Sequence, residues 1–136
     1  MVEFAVAAMV MLLVTFGIME YALLLYSYHT VSNAARQGSR WAIVRGTDCI
    51  DSSCPATATT VKTYVLTQMP LLNTSNATVT TTWSSAGSCT VSSATGPGGP
   101  GCQVAVTVSY PFNLNIPFMT ASPLTLTSTS TMVIAH

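Results

Sequence analysis

The opening stretch, MVEFAVAAMVMLLVTFGIMEYALLLY, constrains the fold more than any other part of this sequence. From Phe4 to Met19 only Thr15 and Gly17 interrupt an apolar run, and YALLLYSY after Glu20 adds two more turns. A total of about 25 residues matches a helix crossing a bilayer core of about 30 Å. A secretory signal peptide has a shorter apolar region and an A-x-A cleavage site followed by disordered chain, a combination this stretch lacks. The run nevertheless carries two carboxylates, Glu3 and Glu20. A charge near hydrocarbon costs on the order of a few kcal/mol even on lenient insertion scales, so these two need a reason.

The helical pattern continues past the apolar run. Val31, Ala34, Ala35, Gly38, Trp41, Ala42 and Val44 mostly recur at three- and four-residue steps, while Arg36, Gln37, Arg40 and Arg45 fill other faces. Gly46 reads as the C-cap and Asp48 as the start of a loop. One helix from Phe4 to Arg45 would be about 60 Å long. Its first half is apolar all round; its second half is amphipathic and needs something to pack against. The chain therefore divides into an N-terminal transmembrane or polymerisation helix over residues 1–46 and a head over residues 47–136.

At 136 residues the chain has room for one domain, and its formal charge is zero, with four basic and four acidic residues. Charged residues make up 6 % of it, against about a quarter in an ordinary soluble protein. No basic face exists to neutralise phosphates, which argues against nucleic acid as a partner. From Thr57 onward Ser and Thr crowd the sequence, so hydroxyls must make the surface polar.

The head reads as α+β. PATATTVKTYVLTQMP places Val61, Tyr64, Val65 and Met69 at helical spacing between Pro55 and Pro70. NATVTTTW, QVAVTVSY and LTLTSTSTMVIA alternate as strands, the second stopping at Pro111. The expectation is a long hydrophobic helix plus a small head with a short helix and a three-stranded antiparallel sheet, one face on the helices. A hairpin loop would run from Ser84 to Gln103.

Four cysteines allow three connectivities. Nearest-neighbour pairing, Cys49 with Cys54 and Cys89 with Cys102, is expected because each pair brackets a turn-like loop, CIDSSC and CTVSSATGPGGPGC. Disulfides place the head outside the cytoplasm. A metal site is the weaker reading, since no CxxC spacing occurs and His29 and His136 are distant.

Catalytic patterns are missing. TGPGGPG has no Lys-Ser/Thr and so builds no P-loop, no G-x-S-x-G occurs, and no cofactor motif is present. His29 has no acidic partner in sequence, and Asp48 with Asp51 reads as a solvated loop. The aromatics Phe4, Phe16, Tyr21, Tyr26 and Tyr28 read as packing or a membrane-interface belt. Asn73 and Asn76 begin overlapping N-x-S/T triplets that mark an exposed loop.

Arg36, Arg40 and Arg45 all follow the span, which by the positive-inside rule would put the head in the cytoplasm, against the cysteines. A short basic leader once preceding Met1, removed to give a mature chain, would resolve the conflict. VEFA, FGIMEY and VSNAARQGSRWAIVRG, followed by VAVTVSYPF and LTLTSTSTM, resemble the TadE-like pilins, pseudopilins of tight-adherence (Tad) secretion systems within the type IV filament superfamily. In such pilins the first glutamate commonly sits fifth in the mature chain; here it is Glu3. The family's last strand often ends with Arg after TM, where this chain has Val133.

The resemblance implies a structural subunit, not an enzyme. It would be anchored in the bacterial inner membrane, processed by a prepilin peptidase, and assembled by Tad machinery into an extracellular helical homopolymer with adhesion as a further role. In a lipid-free bundle of helices, Glu3 could meet the α-amino group of a neighbour's Met1, beside Phe4. A buried ion pair adds little net stability, but leaving one partner unpaired is expensive, so the pair would fix axial register. Glu20 could bond a neighbour's Thr15 or a tyrosine hydroxyl, or mark the membrane edge. The alternative is a membrane-anchored extracellular binding module that never polymerises, or a minor pilin at a filament tip.

Overall fold

A computed structural model describes residues 2–50, 54–85, 89, 98–113 and 123–135. The chain order is α1 (Val2–Ile43), α2 (Ala58–Thr67), a 3-10 turn (Thr74–Asn76), β1 (Thr78–Ser84), β2 (Gln103–Phe112) and β3 (Leu124–Val133). The strands form one antiparallel sheet in the order β1-β2-β3. This is the expected α+β arrangement, a long apolar helix followed by a short helix and a three-stranded sheet.

The head is built on the second half of α1. Its buried side is Ser27, Val31, Ala34, Ala35, Gly38, Ser39 and Ala42, steps of three and four that keep one face on the head. Small residues on that face bring the helix axis close to its neighbours. A β-carbon on Gly38 would overlap the Cγ2 methyl of Val65 on α2 and lie 3.2 Å from Val106 Cγ1 on β2. From α2 come Val61 and Val65, from the turn just after it Met69, and from the sheet Trp83, Val104, Val106 and Val108, all buried. The core therefore includes α1 from Ser27 onward.

Strand register explains the alternation. Thr81, Val106 and Ser130 lie side by side on the inner face, and Thr80, Thr107 and Thr129 on the outer face. The outer face is a hydroxyl surface, with Thr107 Oγ1 2.9 Å from Thr129 Oγ1 and Ser109 Oγ 3.2 Å from Thr127 Oγ1. On the inner face Ser130 is half-buried and meets Ser39 Oγ of α1 at 2.8 Å, so a polar residue at an inward position has a partner.

Two expectations need correction. β2 does not stop at Pro111 but runs to Phe112, with Pro111 opposite Thr125. β1 pairing ends at Ser109, so Pro111 lies where β2 has β3 on one side only, a position that tolerates a missing N–H. Gly46 does not terminate α1 through a left-handed conformation; among the described glycines only Gly101 has positive φ, at 85°. The helix ends at Ile43, and its last carbonyls are taken by other groups. Arg45 N–H donates to Ala42 O (3.1 Å), the Arg45 guanidinium to Trp41 O (3.3 Å), and Ala135 N–H to Ile43 O (3.1 Å). The C-terminal end of the chain thus caps the helix that begins it.

α2 starts with a capping box. Thr57 Oγ1 accepts from Thr60 N–H while Thr57 N–H donates to Thr60 Oγ1. Trp41 stacks on Tyr64 with ring centroids 5.3 Å apart, and the Arg45 guanidinium lies 4.3 Å over Trp41. Both expected disulfides form, Cys49–Cys54 with Cα atoms 5.8 Å apart and Cys89–Cys102 at 5.3 Å. Most of the hairpin loop between Ser84 and Gln103, and Asp51, lie outside the described residues.

Candidate functional site

None of residues 2–26 of α1 is buried; Leu23 and Tyr26 lie against the base of the head, and the stretch before them projects from it. At 1.5 Å per residue this unburied stretch is about 37 Å long, enough for a hydrocarbon core of about 30 Å. The helix is long and apolar enough to cross a membrane. Val2, Phe4, Val6, Met11 and Ile18 are each more than half exposed, which no water-soluble surface would favour over a length of 25 residues. Such a helix is completed by something else, either lipid or other helices.

Glu3 lies in the first turn of α1 and is exposed. There a carboxylate faces the positive end of the helix dipole, which favours helix formation whatever else the residue does. Phe4 beside it is exposed, and Met1 lies outside the described residues. Glu20 is half-exposed and stands 17 residues further on, about 26 Å along the axis. The two glutamates are not brought together, and neither makes an ion pair or a side-chain hydrogen bond among the described residues.

The hydroxyls suggested as partners for Glu20 are not equivalent. Thr15 Oγ1 donates to Met11 O at 2.8 Å within the helix, so its proton is already committed. Tyr26 Oη donates to Pro70 O at 3.4 Å. The phenols of Tyr21 and Tyr28 make no hydrogen bond among the described residues, and both rings are exposed. Of these groups, Tyr21 and Tyr28 remain free to donate to a carboxylate on a neighbouring helix.

Where α1 enters the head, the base of the head carries two recesses that sequence reasoning missed. One, of about 440 Å³, is apolar and lined by Leu23, Tyr26, Leu71, Leu72, Tyr110 and Phe112. The other, of about 590 Å³, is polar and includes His29, Asn33, Arg36 and Gln68, with Tyr26 between the two. Leu71 is 91 % exposed and sits at φ 67°, a backbone region that a leucine occupies only at a cost. The signal available was PLL, two leucines following a proline outside any periodic segment. His29 is exposed, and Asn73 and Asn76 are exposed in their loop.

Residues 1–40 match the family model described as TadE-like protein. The downstream pieces VAVTVSYPF and LTLTSTSTM lie beyond the matched residues. No curated protein and no solved structure matches the chain. The matched segment is the whole exposed half of α1 together with most of the face it buries in the head. Over residues 1–40 the chain is TadE-like, and with its membrane-compatible N-terminal helix it fits a pilin-like component of a Tad pilus system.

Proposed function

We propose that this protein is a structural pilin subunit, held in the inner membrane by α1 and polymerising through that helix into an extracellular Tad-type filament. The observation that carries the reading is the apolar half of α1, residues 2–26, of which no residue is buried, in unbroken helical continuity with a disulfide-bonded head. In the membrane, lipid covers that half. In the filament, the same half of other subunits covers it, and the heads face outward with their hydroxyl surfaces.

Glu3 sets axial register in this scheme, pairing with the α-amino group of a neighbour's Met1 once both are buried in the helical bundle. Glu20 takes a hydrogen bond from a neighbour's Tyr21 or Tyr28. The partners are the subunit's own copies, the inner membrane, a prepilin peptidase and the Tad assembly machinery. No part of the scheme asks for catalysis by this chain.

The test uses Glu3→Ala. The variant enters the membrane as the parent does, but the high-speed pellet of material sheared from cells contains less of it. Parental filament yield from the variant would overturn the register role. Intact mass and N-terminal sequencing of the pellet decide the wider scheme. A pellet dominated by this chain beginning at Met1 supports a filament-building subunit. Retention in the membrane fraction supports the second reading, an anchored extracellular module or a minor tip pilin, which the disulfide-bonded head also suits.

A further inference from the structure

The base of the head has an arrangement that membrane anchoring alone does not require. The apolar groove and the polar recess adjoin at Tyr26, the groove on the side of Leu23 and the recess on the side of Arg36. Along α1, His29 stands about one turn above Tyr26, Asn33 about two turns and Arg36 nearly three. Side chains on a helix lean toward its N-terminus, so Arg36 and His29 lean toward the level at which α1 leaves the head. Neither makes an ion pair among the described residues. Below this level no α1 side chain is buried and the helix is apolar apart from Glu3, Thr15 and Glu20, and Tyr21, Tyr26 and Tyr28 mark the height of a membrane interface.

Leu71 supplies an independent observation. The chain holds a leucine at φ 67° with its side chain 91 % exposed, beside the groove and with Pro70 and Leu72 around it. In water both the backbone and the exposed side chain are unfavourable; against acyl chains the side chain is not. No Lys, Arg, Asp or Glu lines the groove. Apolar below and cationic above, with a tyrosine at the boundary, is the polarity profile of one phospholipid.

We propose that the base of the head holds a phospholipid of the leaflet facing the head. One acyl chain lies in the groove against Leu23, Leu71, Tyr110 and Phe112, and the phosphate is met by Arg36 with His29 and Asn33 beside it. The groove is continuous with the exposed half of α1, so the lipid that covers it belongs to the same membrane. The inference rests on α1 spanning the bilayer. Arg36 contributes a charge-assisted contact to phosphate, and Leu71 seals the groove at the acyl level. The site would hold the subunit at a fixed depth before assembly, with Glu20 about four turns below Arg36.

The full chain in lipid nanodiscs provides the test, with a diazirine placed on the acyl chain of a phosphatidylglycerol or of a diacylglycerol lacking phosphate. Adduct positions are read by mass spectrometry. The expected result is labelling throughout residues 2–22 by both lipids, and labelling at residues 70–72 and 110–112 several-fold higher with the phospholipid. Arg36→Gln brings groove labelling down to the diacylglycerol level and leaves residues 2–22 unchanged, and inorganic phosphate does not compete. Leu71→Gly suits the positive φ, keeps the head folded, and also lowers groove labelling. Labelled residues 2–22 with an unlabelled groove overturns the lipid site and leaves the span intact. Unlabelled residues 2–22 overturns the span and the site with it. Groove labelling unaffected by Arg36→Gln overturns phosphate capture, and a groove that cross-links to a second copy assigns it to subunit contact.

Discussion

Gly38→Ala tests how the anchor helix is fastened to the head. The new methyl group has no room, since it overlaps Val65 Cγ2 and comes within 3.2 Å of Val106 Cγ1. Val65 is a β-branched residue inside α2 and has one strongly preferred rotamer there, so it cannot turn aside. The clash must be relieved by moving α1 away from α2 and β2, and overpacking of this kind costs about 1–3 kcal/mol. Replacing a helical glycine with alanine recovers about 1 kcal/mol of helix propensity. Taking the upper part of the overpacking range because the neighbour is stiff, the net loss is about 1–2 kcal/mol. For a folded unit of this size that is a fall of several degrees in melting temperature, at about 4 °C per kcal/mol. The assay is thermal or urea unfolding of the detergent-solubilised chain, followed by the fluorescence of Trp41 and Trp83, both packed in or against the core. Gly17→Ala is the control, because a β-carbon there meets nothing within 4 Å and the head should melt unchanged. A second variant, Gly38→Ala with Val65→Ala, removes the opposing methyl groups and should lose less than the two single changes added together. A Gly38→Ala protein as stable as the parent, or more so, would refute the close approach.

Thr81→Val should raise head stability by about 1 kcal/mol, because Thr81 Oγ1 is buried without a hydrogen-bond partner among the described residues; a lower melting temperature would refute that account. Removing the Cys89–Cys102 bridge by replacing both cysteines with serine should cost about 2–4 kcal/mol and open new protease cuts between positions 89 and 102. Equal cleavage with the bridge intact would refute the stapling role.

Periodicity made the elements legible because burial is one-sided in most of them. Val104, Val106 and Val108 alternate since one face of β2 meets the helices, and Val61 and Val65 repeat, with Met69 following just past the helix end, because one side of α2 is buried. The end of β2 was not legible, since a proline in a central strand normally stops pairing and only the shorter β1 makes Pro111 acceptable. Nor could local sequence show that Ala135, at the far end of the chain, caps α1; that depends on where β3 finishes. Glu3 and Glu20 stood out because carboxylates are rare in apolar runs. The groove at Leu71 did not, since Leu23, Leu71, Tyr110 and Phe112 converge from three distant segments.

A single helix shared by anchor and head also determines how the molecule carries a load. Helical hydrogen bonding is continuous from Val2 to Ile43, with no proline and no break where the head begins. A pull on the head therefore travels along the helix axis and is resisted in shear by the Val31-to-Ala42 face, its Ser39–Ser130 bond and the Ala135 cap. Without a hinge the head cannot swivel on its stem, so rotation of the stem turns the head by the same angle.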